Sequence, residues 1–156
     1  MEKMEANEGQ SLVLVPESPQ SFKAAKSLES VPNHYRTEEP FKVNITTHEF
    51  TACCPATGMP DAYTLEIMYI PRDLILELKS LKLYTHCFRN IGIMVEPVAN
   101  KIADDLVEAV NPFYCAIKVY HGVRGGFSTL VEVKRGTIPD SDSSPAAIPD
   151  GYETME

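Results

Sequence analysis

The sequence predicts an α+β domain: a four-stranded antiparallel sheet with two helices packed on one face. Three observations carry that expectation. Apolar and polar residues alternate with strand period at both ends of the central region, and two stretches between them repeat with helical period. The resulting order, β-β-α-α-β-β, gives each helix an apolar stripe and one sheet face to bury it against. The chain's 156 residues, 44% hydrophobic and 23% charged, suffice for one domain with a real core.

The elements follow in order. Phe41-Lys42-Val43-Asn44-Ile45-Thr46 alternates as a strand, and Ala62 to Ile70 forms a second one, stopped by Pro71. Leu78 to Arg89 reads as a helix with Leu78, Leu81, Thr85 and Phe88 on one face. Pro97 suits the first turn of a second helix, whose stripe is Ala99, Ile102, Ala103, Leu106 and Val110 and which ends at Asn111-Pro112. Phe113 to His121 and Phe127 to Arg135 are two further strands, joined by the turn Gly122-Val123-Arg124-Gly125-Gly126. The folded domain is placed at residues 36–136. Residues 1–35, rich in Glu, Ser, Lys and Pro apart from the patch Leu12 to Val15, read as a flexible arm, and residues 137–156 as a disordered acidic tail.

Net charge is −8, but five of those charges (Asp140, Asp142, Asp150, Glu153, Glu156) lie in the tail, which has no Lys or Arg, leaving −3 for the rest. The folded part is near balance, which argues against nucleic acid as a direct partner. No apolar run approaches the ~20 residues that span a bilayer, and no basic region precedes an apolar block near the N-terminus, so no membrane partner and a cytoplasmic protein are expected. A single sheet with helices on one face leaves two edge strands needing cover. Self-association joining sheets edge to edge would supply it.

The chemistry concentrates in Cys54-Pro55-Ala56-Thr57-Gly58-Met59-Pro60-Asp61, between the first two strands. Two prolines fix φ and Gly58 permits a conformation that other residues avoid. Such a loop holds a thiol and a carboxylate at a set separation, the pairing that covalent thiol chemistry with a proton donor needs. Cys53 competes with Cys54 as nucleophile, and neighbours on an extended segment point opposite ways, so only one can face a pocket. A buried small hydrophobe is the bland reading of either, as a turn former is of Asp61. Cys87 and Cys115 fall within regular elements and read as core. No C-x2-C or H-x3-H spacing occurs, so no metal site is expected, and the four cysteines read as free thiols.

Lys79, Lys82, His86 and Arg89 form a basic stripe at helical spacing. It is either a solvated face or a site for a phosphorylated ligand, which Arg124 and the glycine pair Gly125-Gly126 can join through close backbone approach. No Rossmann or P-loop glycine pattern is present. Glu96, before Pro97, either complements a helix N-terminus or accepts two hydrogen bonds from adjacent N–H groups, as on a guanine edge.

Together these residues resemble the NADPH-dependent 7-cyano-7-deazaguanine reductases, the nitrile reductases of queuosine biosynthesis. The resemblance spans roughly Pro32 to Gly126. It rests on Glu49-Phe50-Thr51-Ala52-Cys53-Cys54-Pro55-Ala56-Thr57-Gly58-Met59-Pro60-Asp61, on Glu77-Leu78-Lys79-Ser80-Leu81-Lys82-Leu83-Tyr84 with Phe88-Arg89-Asn90, and on Arg124-Gly125-Gly126. It implies the tunnel fold of that family, which has the same element order, and a homo-oligomer with sites between subunits. By the same resemblance Cys54 attacks the nitrile carbon to form a thioimide, and Asp61 protonates the nitrogen. Two NADPH molecules deliver hydrides in turn. Glu96, with Val95 beside it and backbone around Leu76, Glu77 and Leu78, forms the deazaguanine pocket, while Lys79, Lys82, Arg124 and Gly125 hold NADPH phosphates. The chain departs from the family at Val95, where a histidine precedes the glutamate, at Met59, where glutamine is more typical, and at Cys53. The Val95 departure keeps two rivals in view: a tunnel-fold relative that forms the thioimide but transfers an amine, as amidinotransferases do, and a non-catalytic deazapurine-binding homologue.

Overall fold

The computed structural model describes residue 24, residues 26–35 and residues 40–139. Among these the order is β1 (Ser30–Pro32), β2 (Val43–Cys53), β3 (Pro60–Ile70), β4 (Leu74–Leu76), α1 (Leu78–His86), a 3-10 turn (Cys87–Asn90), α2 (Val95–Val110), β5 (Tyr114–Arg124) and β6 (Phe127–Gly136). The main sheet is antiparallel with order β2-β3-β5-β6, and β1 pairs with β4 in a separate two-stranded ribbon. The expected four strands and two helices are all present, and β1 and β4 are additions.

The ribbon moves the start of ordered structure ahead of residue 36, because part of the expected arm is a strand. Ser30 lies opposite Leu76, the Glu77 amide donates to the Glu29 carbonyl at 2.9 Å, and the Asn33 amide donates to the Asp73 carbonyl at 2.8 Å. Three-residue strands carry no readable alternation, which hid both from sequence. The expected disorder of residues 1–23 and of the tail from residue 140 lies outside the described residues.

β2 runs seven residues beyond the expected Thr46. Its register against β3 shifts between Thr47 and Phe50, where Thr47 opposes Leu65 and Phe50 opposes Tyr63. One extra residue on β2 makes this a β-bulge, and a bulge reverses which residues face inward. Val43, Ile45 and Thr47 face the core before it, and Phe50 and Ala52 after it. The broken alternation concealed a strand that carries the chain directly to Cys53.

α1 also departs from its expected extent and face. It ends at His86 and tightens into the 3-10 turn, and its buried residues are Ser80, Leu81 and Tyr84, with Phe88 following in the turn. Leu78, expected on the inner face, is 61% exposed. Its place beside the N-terminal cap points it away from the sheet. Glu77 is that cap: its carboxylate accepts from the Lys79 amide at 2.9 Å and the Ser80 amide at 2.6 Å, satisfying donors that have no partner inside the helix.

α2 presents Val98, Ala99, Ile102, Ala103, Leu106 and Val110 to the sheet, each at most 1% exposed. Full burial of such aliphatic side chains stabilises by roughly 1.5–3 kcal/mol apiece, so α2 anchors the domain. The small Ala99 and Ala103 let it approach the sheet closely. Asn111 ends it in the left-handed conformation, φ 44°. On β3 and β5 the core side is filled by Tyr63, Leu65, Ile67 and Tyr69 and by Cys115, Ile117 and Val119. The other sheet face carries no helix among the described residues and is polar, with Tyr120 donating to Glu66 at 3.3 Å and Lys134 pairing with Glu132 at 3.2 Å.

Candidate active site

The two ends of the thiol–acid loop are set by the sheet itself. Cys53 is the last residue of β2 and opposes Pro60, the first of β3. Between them the Gly58 amide donates to the Cys54 carbonyl at 2.8 Å, and the Cys54 amide donates to the Met59 carbonyl at 2.8 Å. Gly58 has φ 68°, which a side chain would strain.

The two adjacent cysteines separate as strand geometry requires. Cys53 is buried, and its thiol donates to the Arg89 carbonyl at 3.2 Å. Its amide donates to the Ile91 carbonyl at 2.9 Å and its carbonyl accepts from the Ile93 amide at 3.0 Å. These bonds pin the loop to the segment entering α2. Cys54 is half-buried. The Thr57 hydroxyl, then the Thr57 and Ala56 amides, hydrogen-bond its sulfur and hold the thiol below its ordinary range, against weaker opposition from burial and from the Asp61 carboxylate. A lowered thiol carries more thiolate, the nucleophilic form, than an ordinary cysteine. Cys115, fully inside the sheet, has its thiol pushed up by burial, and Cys87 donates to the Leu83 carbonyl at 3.3 Å.

Asp61 lies on the core side of β3, 8% exposed, at the end of the sheet. Three side chains reach its carboxylate among the described residues. Tyr63 donates to Oδ2 at 3.4 Å. Arg124 forms an ion pair with Oδ1. His121 Nε2 stands 3.6 Å from the same oxygen. Burial and the nearby carboxylate push the Tyr63 hydroxyl well above its ordinary range, so it stays a donor. The structure thus brings Arg124 to Asp61, whereas the sequence reading gave it to a phosphate.

Arg124 arrives there through the hairpin. The pairing of β5 with β6 shifts between His121 and Arg124. Gly125 and Gly126 then turn the chain with φ 56° and 88°, the two successive positive φ values of a tight hairpin turn.

Glu96 sits in the first turn of α2 and its side chain is exposed, while Val95 packs partly against the core. Both follow directly on the segment bonded to Cys53. At the other candidate wall, the Leu76 amide donates to the Tyr69 hydroxyl at 3.0 Å and the Glu77 amide to Glu29. Those two N–H groups and the Glu77 carboxylate already have partners within the chain. Lys79, Lys82, His86 and Arg89 are all exposed. No cluster of metal-binding side chains occurs among the described residues, and no helix among them is long and apolar enough to cross a membrane.

Sequence reasoning missed Thr57, Tyr63 and His121. Two carried a readable signal. Strand alternation from Ile117 through Val119 puts His121 on the core side, and alternation from Leu65 does the same for Tyr63. Thr57 gave only the weaker hint of a hydroxyl in a turn.

The helix-backed antiparallel sheet is of the tunnel-fold type, and its end holds a thiol lowered by its own loop and a buried carboxylate, groups of the kind an enzyme site uses. The model of the QueF-like protein family matches residues 60–140, just over half of the chain. Among curated relatives, an NADPH-dependent 7-cyano-7-deazaguanine reductase of Syntrophus aciditrophicus (strain SB) is 46% identical over 112 residues, covering 72% of this chain and 79% of its own. The reductase of that name from Chloroherpeton thalassium (strain ATCC 35110 / GB-78) is 47% identical over 104 residues, 67% of this chain and 89% of that one. That from Anaeromyxobacter sp. (strain Fw109-5) is 39% identical over 117 residues, 75% and 95% of the two chains. Among solved structures, the archaeosine synthase QueF-Like in its apo form aligns with TM-score 0.59 and 26% identity, over 65% of this chain and 99% of that one. The chain belongs to the QueF-like family.

Proposed function

We propose that this protein reduces the nitrile of 7-cyano-7-deazaguanine to an aminomethyl group, with NADPH as hydride donor. The observation that carries the reading is the Cys54 thiol, lowered by Thr57 and Ala56 and joined by one short loop to Asp61 on β3, in a chain 39–47% identical to reductases of that name. A nitrile is a weak electrophile. Thiolate addition at its carbon, with a proton placed on nitrogen, gives a C=N group that accepts hydride far more readily. Cys54 supplies the thiolate and Asp61 the proton. Glu96, at the entry to α2, accepts hydrogen bonds from the guanine-like edge, with Val95 and the backbone of Leu76, Glu77 and Leu78 around it. The Leu76 and Glu77 amides are occupied, and the Glu77 carbonyl already accepts from the Leu81 amide at 3.1 Å and the Ser80 hydroxyl at 2.7 Å, which leaves the Leu76 carbonyl and the Leu78 amide for that wall.

NADPH supplies hydride when bound. The exposed Lys79 and Lys82 ammoniums fit its phosphates, as does the turn at Gly125, where nothing lies within 4 Å of an added Cβ. β2 and β6 are the outer strands of the sheet, and self-association along those edges, in the cytoplasm, completes sites between subunits.

Intact mass spectrometry after mixing with 7-cyano-7-deazaguanine, followed by NADPH addition, tests the reading. A Cys54-dependent adduct that discharges with NADPH oxidation supports it. An adduct inert to NADPH but discharged by an amine supports the one rival with an observation behind it, amine transfer, favoured by Val95 and by likeness to an archaeosine synthase. No adduct refutes both.

A further inference from the structure

Among the described residues, His121 is the one group at the Asp61 carboxylate to which neither the fold nor the thiol loop gives a task. It stands three residues before the end of β5, opposite Tyr63 on β3 and Thr129 on β6. Its ring centroid lies 5.1 Å from that of Tyr63, and Nε2 lies 3.6 Å from Asp61 Oδ1. Its side chain is 15% exposed and that of Asp61 9%, so the imidazole meets solvent more readily than the acid does.

The proton balance of the proposed reduction, on which this inference rests, gives that position a meaning. Nitrile to amine consumes two hydrides and two protons. In the addition, Cys54 forms a C–S bond and the thiol's own proton ends on nitrogen. The first hydride makes a C–H bond, and the C–S bond breaks to leave an imine and the Cys54 thiolate. The second hydride makes the other C–H bond as nitrogen takes a proton to become the amine, and the thiolate takes another. Each turnover therefore draws two protons from solvent to a site whose acid is buried.

Of the three side chains at that acid, two cannot carry protons inward. The Tyr63 hydroxyl is held protonated by burial and by the carboxylate it faces. The guanidinium of Arg124 offers donors only and no acceptor atom to take a proton up. Cys54, which feels the Asp61 charge, is covalently engaged during half of the cycle. An imidazole has two ring nitrogens, so it can accept a proton on one while donating from the other. We propose that His121 positions Asp61 and resupplies it with the solvent protons that reduction consumes.

The test is His121→Gln, with His121→Asn as a second variant and His121→Ala for chemical rescue, each compared with the native protein. Adduct formation with the nitrile, read by intact mass, confirms that each variant is folded with its thiol site intact. The expected result is a kcat for NADPH oxidation lowered ~100-fold, in the range general acid–base groups contribute, with KM for the nitrile unchanged. The pH profile of kcat should change shape, and added imidazole should restore part of the rate in His121→Ala. A kcat within about twofold of native with the same pH profile overturns the proposal. So does a lower kcat that keeps the native profile and ignores imidazole, since that marks a structural role. Native protein that forms no adduct, or oxidises no NADPH, refutes the reductase reading and the His121 role with it. Native turnover with insensitive His121 variants refutes the His121 role alone.

Discussion

Replacing Asp61 with asparagine separates the chemistry of the site from its architecture. The change is isosteric, and the carboxamide oxygen introduced by Asp61→Asn can still accept from Arg124. What is lost is the charge of an ion pair whose arginine is 49% exposed, worth about 0–1 kcal/mol after solvent screening. Also weakened is the long 3.4 Å bond from Tyr63, no more than about 1 kcal/mol net. A total below about 2 kcal/mol leaves a domain of ordinary stability folded. Loss of a positioned proton donor, by contrast, lowers turnover by ~10²–10⁴-fold. Stopped-flow NADPH oxidation with 7-cyano-7-deazaguanine, beside thermal unfolding of both proteins, measures the two effects separately. A variant that unfolds near the native temperature yet keeps its rate within about tenfold would refute the assignment of Asp61 as the acid. Activity lost only in step with unfolding would refute the separation of roles.

The remaining predictions concern the thiol, the cofactor face, a helix cap and a turn. Thr57→Val removes the largest donor to the Cys54 sulfur, so the pH profile of Cys54 alkylation by iodoacetamide should move to higher pH, and an unmoved profile excludes that hydrogen bond. Lys79→Ala with Lys82→Ala should raise the KM for NADPH about tenfold or more, two phosphate contacts of about 1.5–3 kcal/mol each being at stake, with nitrile adduct formation unaffected. The Glu77 carboxyl is held below its ordinary range by the Lys79 and Ser80 amides. Its contribution is therefore complete above the ordinary glutamate range and fades as pH falls through the lowered one. Glu77→Gln should accordingly destabilise the protein in urea at pH ~7 and match native as the solution is acidified, and an equal deficit at both pH values contradicts the ionic cap. Gly136→Ala places a methyl 2.2 Å from the Phe113 carbonyl at φ 78°, and should cost ~1–3 kcal/mol or more as a lowered urea midpoint.

Much of the fold was legible because its signals are local. The stripe Ala99, Ile102, Ala103, Leu106 and Val110 marks α2 by period alone, and all five are buried. The alternation in β3 and β5, and the glycine pair between β5 and β6, are of the same kind. Misreadings arose where a pattern was interrupted or too short. The bulge at Thr47–Phe50 reversed the alternation of β2, and β1 and β4 span three residues each. The outer position of Leu78 depended on the cap at Glu77, which a helical wheel does not represent.

For the site, sequence by itself determined the chemical inventory: a thiol and a carboxylate on one proline-bounded segment, a basic stripe along α1 and the turn after it, and a carboxylate at the entry to α2. These are properties of residue type and spacing, which covalent connectivity fixes. Tertiary structure decided the assignments that depend on which strands lie side by side. It buried Cys53 against Arg89 and left Cys54 to Thr57. It also set Tyr63, His121 and Arg124 around Asp61, across as many as 63 residues of chain. Antiparallel pairing of β3 with β5 is what closes that distance, and no local pattern encodes the partner a strand end will meet.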